Sequence, residues 1–235
     1  MHPESPEPIL PDILLFQELE CQSSQNRLEE EIAETHWFAA NVCARKRSGE
    51  SRSTVGVTVN RAKFDVLGTI ALDLGRIRPD HGRCALGVRL RDRYTGHTLQ
   101  VVSVHHSPHP LKYQQTTEMI GQFESHNLFV SDGLILGGDF NFTPHAKSYR
   151  LVTSVFSDPL PADRGQTHWT GGRLDFVFIT PQLTLLQPLD LKVAYEPLHP
   201  AGLFRSIFRC SDPEWNDCPL TDHLPEGGLL AFVPE

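Results

Sequence analysis

The residues best suited to chemistry sit where apolar runs stop. The most specific segment is Leu136-Gly137-Gly138-Asp139-Phe140-Asn141-Phe142-Thr143-Pro144, an apolar strand that closes on two glycines and then presents an acid and an amide two positions apart. Alternate side chains of an extended chain share a face, so Asp139 and Asn141 point the same way. A carboxylate beside a carboxamide can orient a water and hold a phosphoryl oxygen, and the glycines let a neighbouring backbone approach closely. Gly, Asp, Asn and Pro are also ordinary turn residues, so this segment alone leaves a plain turn open.

Other segments keep it company. Pro11-Asp12-Ile13-Leu14-Leu15-Phe16-Gln17-Glu18-Leu19 reads as a buried strand ending in Gln-Glu, and a carboxylate at the mouth of such a strand is a natural ligand for Mg²⁺. Arg173-Leu174-Asp175-Phe176-Val177-Phe178 puts an acid early in an apolar strand, where an ionised group is costly unless paired, for example with an imidazole. Thr221-Asp222-His223-Leu224-Pro225 joins a metal ligand type to an acid, base or phosphate donor. Val102-Ser103-Val104-His105 ends another apolar run on an imidazole. His105 and His109 are four apart, the spacing of a helical zinc pair, but Pro108 between them argues against a helix there.

The order Gln-Glu, Val-His, Gly-Asp-Phe-Asn, Arg-Leu-Asp-Phe, Asp-His resembles the motif series of the endonuclease/exonuclease/phosphatase superfamily across residues 11 to 233. That resemblance implies a DNase I-like fold and hydrolysis of phosphate esters with Mg²⁺, or Mn²⁺. It makes Glu18, Asp222 and Asp139 the metal-associated acids, with Asp139 also aligning or deprotonating the attacking water. Asn141 would hold that water or a phosphate oxygen, and His223 would contact the scissile phosphate while sharing a proton with Asp175. His105 would be a second phosphate ligand or acid, although Val104 replaces the family's Thr before it. Within the superfamily, Gly-Asp-Phe-Asn-x-x-Pro and Asp-His-Leu-Pro are more similar to the deadenylase-related and DNase-like branches. They favour nucleic acid, RNA first, as substrate. Two alternatives stay open: a lipid head-group phosphodiesterase of sphingomyelinase type, and a module that binds phosphate or a protein partner with little turnover. The second arises because the family carries an Asn-bearing strand upstream of the Gln-Glu strand, and this chain starts too late to include it.

The elements that must position these residues are mostly strands. Period-two and short continuous apolar runs predict strands at Ile13–Gln17, Trp37–Cys43, Thr54–Val59, Val66–Leu72, Cys84–Leu90, Leu99–His105, Leu134–Leu136, Leu174–Ile179, Leu185–Val193 and Leu229–Val233. Helical spacing predicts Ser23–Glu34, Leu111–Asn127 and a short helix after Pro144 through Tyr149 to Val152. Many strands with few helices point to an α/β (α+β) fold: a two-sheet β-sandwich with outer helices, its site in the loops at one end. The length of 235 residues suits one domain, 12–235, behind a proline-rich lead-in over residues 1–11.

The net charge of −8 argues against binding of nucleic acid through a broad basic surface, but suits an enzyme whose carboxylates hold a cation. The five cysteines are odd in number and scattered without zinc-type spacing, so free thiols in a reducing compartment are expected. No stretch is apolar enough to span a bilayer and the start has no signal pattern, so a cytoplasmic or nuclear protein, or a fragment of a larger one, is expected.

Overall fold

The computed structural model describes residues 11–18, 22–45, 51–76, 82–108, 110–160, 167, 172–188 and 228–233. Strands β1 (Ile13–Gln17), β2 (His36–Arg45) and β3 (Ser51–Asn60) form an antiparallel sheet of order β1-β3-β2. Strands β4 (Phe64–Arg76), β5 (Gly82–Asp92), β6 (Thr98–His105), β7 (Gly133–Asp139) and β8 (Asp175–Ile179) form a second sheet in chain order. Strands β9 (Leu183–Pro188) and β10 (Gly228–Phe232) pair with each other. Helix α1 (Gln22–Ile32) follows β1, α2 (Lys112–Ser125) carries the chain from β6 to the parallel β7, and α3 (Lys147–Thr153) follows β7. Each predicted strand and helix is present, β1 with its expected bounds and the others with shifted ends. The Leu185–Val193 expectation becomes Leu183–Pro188, with residues 189–193 outside the described part.

Alternation along the second sheet builds two cores. Val55, Val57 and Val59 of β3 meet Leu86, Val88 and Leu90 of β5 and Val101 of β6, which bonds the two sheets face to face through apolar burial. On the other face Val102, Val104, Leu134 and Leu136 pack with Met119 and Phe123 of α2 and a group of phenylalanines, Phe140, Phe142, Phe176 and Phe178. Strand β7 is buried on both faces, as its continuous apolar run requires. Helix α2 stops in a Schellman turn: Asn127 takes φ 55°, its N–H reaches the Glu124 carbonyl and Leu128 N–H reaches that of Phe123.

Cys43 of β2 is bonded to Cys84 of β5, cross-linking the two sheets with a Cα–Cα distance of 5.1 Å. The expectation of five free thiols is corrected for these two. They lie 41 residues apart in sequence, and only the stacking of one sheet on the other brings them together. With that pairing, cysteine usage no longer argues for a reducing compartment.

Gly137 and Gly138 leave no room for a side chain, the first on the face toward β1 and the second against neighbouring β6. A Cβ on Gly137 would meet Leu15 Cδ1 of β1 at 2.6 Å, and one on Gly138 would collide with the Val104 carbonyl oxygen. Gly138 also has φ 140°, a region closed to most side chains. Gly138→Ala is therefore expected to destabilise the protein by about 2–4 kcal/mol. Urea unfolding checks this, and an unchanged midpoint would mean that β7 has room to move.

Candidate active site

Register assembles the site. His105 ends β6 opposite Asp139 at the end of β7, and Asp139 stands opposite Asp175 at the start of β8. Three predicted residues thus form one row across three adjacent strands. Two acids directly opposite each other repel, so such a row is retained only where other groups offset the charge. Glu18 approaches from the other sheet: its Oε1 is 3.8 Å from His105 Nε2, and the same nitrogen is 3.4 Å from Asp139 Oδ2. His105 and Asp139 are buried while the Glu18 side chain is 61% exposed, so the row opens to solvent on the Glu18 side.

Asp139 and Asn141 are locked together. The Asn141 backbone N–H donates to Asp139 Oδ1 at 2.8 Å, and its Nδ2 donates to Asp139 Oδ2 at 2.7 Å and to the His106 carbonyl at 3.0 Å. The carboxylate fixes the orientation of the amide, because the reverse orientation would set oxygen against oxygen. Both amide hydrogens are then committed, and Asn141 offers only the acceptor Oδ1 to anything bound. An acceptor can receive a hydrogen from water but not bond to a phosphate oxygen, so the geometry favours the first of the two expected roles.

Glu18 and Asn141 both have left-handed backbones, with φ of 59° and 52°. Each such residue costs on the order of 1 kcal/mol or more and persists only where its surroundings hold it. Lys112 supplies part of that hold, donating from Nζ to the Asn141 carbonyl at 2.7 Å. A lysine in the first turn opposes the helix dipole, and α2 has neither a side-chain cap nor an acid there. That local misfit was the available sequence signal for Lys112, which residue-type reasoning missed.

The start of β8 is anchored behind the row. Buried Arg173 makes paired bonds of 2.9 and 3.2 Å to Asp158 and lies 4.6 Å over the Phe176 ring. Tyr149 donates to the same carboxylate at 3.0 Å, and burial together with Asp158 pushes its phenol up to about 12. Thr167 Oγ1 accepts from the backbone N–H groups of Leu174 and Asp175.

Asp222 and His223 lie outside the described residues, as does His109. Among the described residues no group of three or more His, Cys, Asp or Glu is arranged as a metal cluster. Glu18 and Asp139 nevertheless each bring a carboxylate oxygen close to His105 Nε2, at 3.8 and 3.4 Å, and Mg²⁺ commonly takes one or two carboxylates and completes its shell with water and substrate oxygen. The donor chemistry fits such an ion.

His106 points away from this row. Its ring lies edge-on to Phe140 at 5.3 Å, is completely buried and has no hydrogen-bond partner on either nitrogen. Burial, with help from the charges of Arg83 and Lys112, pushes its imidazole down to about 3. The native state is therefore neutral at His106, whereas the unfolded chain binds a proton below about 6.5. Stability from this group is complete above that pH and declines as pH falls toward about 3. His106→Phe should flatten the acid side of the stability curve, removing about 2 kcal/mol of the loss between roughly pH 6.5 and 5. Urea midpoints at the two pH values check it, and equal slopes for both proteins would show that His106 contributes none of the loss.

The profile of the Endonuclease/Exonuclease/phosphatase family matches residues 4–212. The catalytic domain of human Nocturnin, solved with a bound sulfate anion, superposes with a TM-score of 0.71 at 16% identity, covering 95% of this chain and 81% of that one. ANGEL2, described as a 2′,3′-cyclic phosphatase and solved with adenosine-2′,3′-vanadate, gives 0.61 at 13% identity over 76% of this chain and 73% of its own. A mannosyl-6-phosphatase of Bacteroides thetaiotaomicron gives 0.54 at 15% identity over 74% and 73%. At these identities the likeness is one of fold. No curated protein matches the chain in sequence.

Proposed function

Since the chain belongs to the endonuclease/exonuclease/phosphatase family, we propose that it is a divalent-metal-dependent phosphodiesterase acting on nucleic acid, RNA before DNA. The observation that carries this reading is the row His105, Asp139 and Asp175 facing Glu18 across the sheet interface. The substrate preference draws support from the motif forms and from the fold shared with ANGEL2, which was solved with an adenosine derivative. Mannosyl-6-phosphatase has the same fold with a different substrate, so the fold alone does not select RNA.

In the proposed reaction a water attacks phosphorus in line with the leaving oxygen. Asp139 Oδ2 receives or aligns the water proton, and Asn141 Oδ1 accepts its second hydrogen. The Asn141 bonds hold the Asp139 carboxylate in one orientation, so little reorganisation is needed as the reaction proceeds. His105 Nε2, beside both acids, donates to a phosphoryl oxygen. Glu18 and Asp139, with Asp222, would hold Mg²⁺ or Mn²⁺, which when bound offsets the phosphate charge and that of the facing acids. His223, paired with Asp175, would contact the scissile group. No helix of the described residues is long and apolar enough to cross a membrane.

The test is hydrolysis of single-stranded RNA, DNA, a choline phospholipid and an inositol phosphate, each with Mg²⁺ and with chelator. Metal-dependent cleavage of RNA is expected, and turnover of the phospholipid alone would transfer the protein to the lipid-acting branch. Asp139→Asn keeps the shape but loses the charge, and should reduce the rate about a hundredfold or more with the fold retained. Normal turnover in that variant would remove Asp139 from the chemistry. Glu18→Gln should raise the Mg²⁺ concentration for half-maximal rate more than it lowers the rate at saturating metal. An unchanged metal dependence would exclude Glu18 from the metal site.

A further inference from the structure

Glu18 belongs to one sheet and His105 and Asp139 to the other, so their separation depends on whatever fixes β1 over β6 and β7. Most of that interface is apolar, including Leu15, Val57 and Val101. Apolar contact is non-directional and specifies spacing better than alignment. Two directional contacts cross it at one hydroxyl. Ser103 Oγ donates to the Phe16 carbonyl at 3.1 Å and accepts from Gln17 Nε2 at 3.1 Å.

The position of Ser103 makes those bonds consequential. It is fully buried, lies two residues before His105 on the same face of β6, and stands opposite Gly137, two residues before Asp139. Gln17 immediately precedes Glu18. Its Nε2 occupies the space that the missing side chain of Gly138 leaves, 3.0 Å from where a Cβ would be. Directly beyond Gln17 the chain turns into the left-handed conformation of Glu18, which needs support from its surroundings.

We infer that Ser103 and Gln17 are positioning residues: one shared hydroxyl latches β1 to β6 and thereby holds the Glu18 carboxylate where it can join Asp139 in binding a divalent cation. This rests on the proposed metal-dependent activity. Groups that orient a metal ligand without touching the metal commonly change affinity by tenfold or more when removed. The latch therefore governs metal affinity rather than the chemical step.

The test measures Mn²⁺ binding by electron paramagnetic resonance, together with Mg²⁺-dependent hydrolysis and thermal stability. It compares the full chain with Ser103→Ala, Gln17→Met, the double variant and Thr58→Val. Thr58 is a buried hydroxyl of β3 without a hydrogen-bond partner, and its removal controls for the loss of any interior oxygen. Ser103→Ala and Gln17→Met are each expected to weaken Mn²⁺ binding and raise half-saturating Mg²⁺ by about tenfold, with a much smaller change in rate at saturating metal. The double variant should lose no more than the worse single one, because both bonds use the same oxygen. Thr58→Val should bind Mn²⁺ as the parent does. Gln17 is only half-buried, so its variant decides the matter if Ser103→Ala does not fold. Parental Mn²⁺ affinity in Gln17→Met, or loss of stability and rate without loss of affinity, would overturn the latch. If the parent binds Mn²⁺ but hydrolyses nothing, the proposed activity fails while the affinities still decide the latch. If the parent does not bind Mn²⁺, both fall.

Discussion

The candidate site depends on the close approach of two sheets, with Leu15 of β1 seated over Gly137 of β7. One carboxylate, Glu18, comes from the small sheet, and the row of His105, Asp139 and Asp175 comes from the large one. A side chain on Gly137 would press against Leu15 of β1, and one on Gly138 would press against the Val104 backbone of neighbouring β6 and crowd Gln17 beside Glu18. The Cys43–Cys84 bond ties the same two sheets on the β2–β5 side, and Cys84 is itself the register partner of His105. Inter-sheet spacing at this end is thus constrained covalently on one flank and by packing and hydrogen bonds on the other.

Given that spacing, electrostatics explains the rest of the local structure. A buried acid such as Asp139 is tolerated because Asn141 gives it two hydrogen bonds and His105 lies beside it. Those bonds require Asn141 to leave the strand in a left-handed conformation, and Lys112 secures the carbonyl that this turn exposes. The cost of a lysine at the start of α2 is understood as part of the site, not as a defect of the helix. Behind the row, the buried pair of Arg173 and Asp158 fixes the entry to β8 and hence the place of Asp175. A buried ion pair is a poor source of net stability but a good source of alignment, since its paired bonds admit one geometry.

The fold supplies the platform and does not choose the substrate. Nocturnin, ANGEL2 and a bacterial mannosyl-6-phosphatase share it at identities of 16%, 13% and 15%. Strand ends in such a sandwich put catalytic groups on rigid elements, while selectivity resides in the loops around them.

Much of this was legible in the residues. The strand at Leu134–Leu136 and the apolar spacing of α2 follow from local periodicity, which the backbone imposes wherever the segment ends up. Asp139 and Asn141 do meet, but through the left-handed turn at Asn141 rather than the strand alternation expected, since β7 ends at Asp139. The close approach implied by the paired glycines was legible too. What tertiary structure alone decided are partnerships between distant residues. Gln17 and Ser103 are 86 apart in sequence, Asn141 and Lys112 are 29 apart, and Cys43 and Cys84 are 41 apart. The cysteines look free in the sequence because no local spacing marks a pair that forms across two stacked sheets. The direction of the Asn141 amide was likewise undetermined until its carboxylate and carbonyl partners surrounded it. Alternation states which face a side chain takes, but only the return of the chain states what lies across from that face.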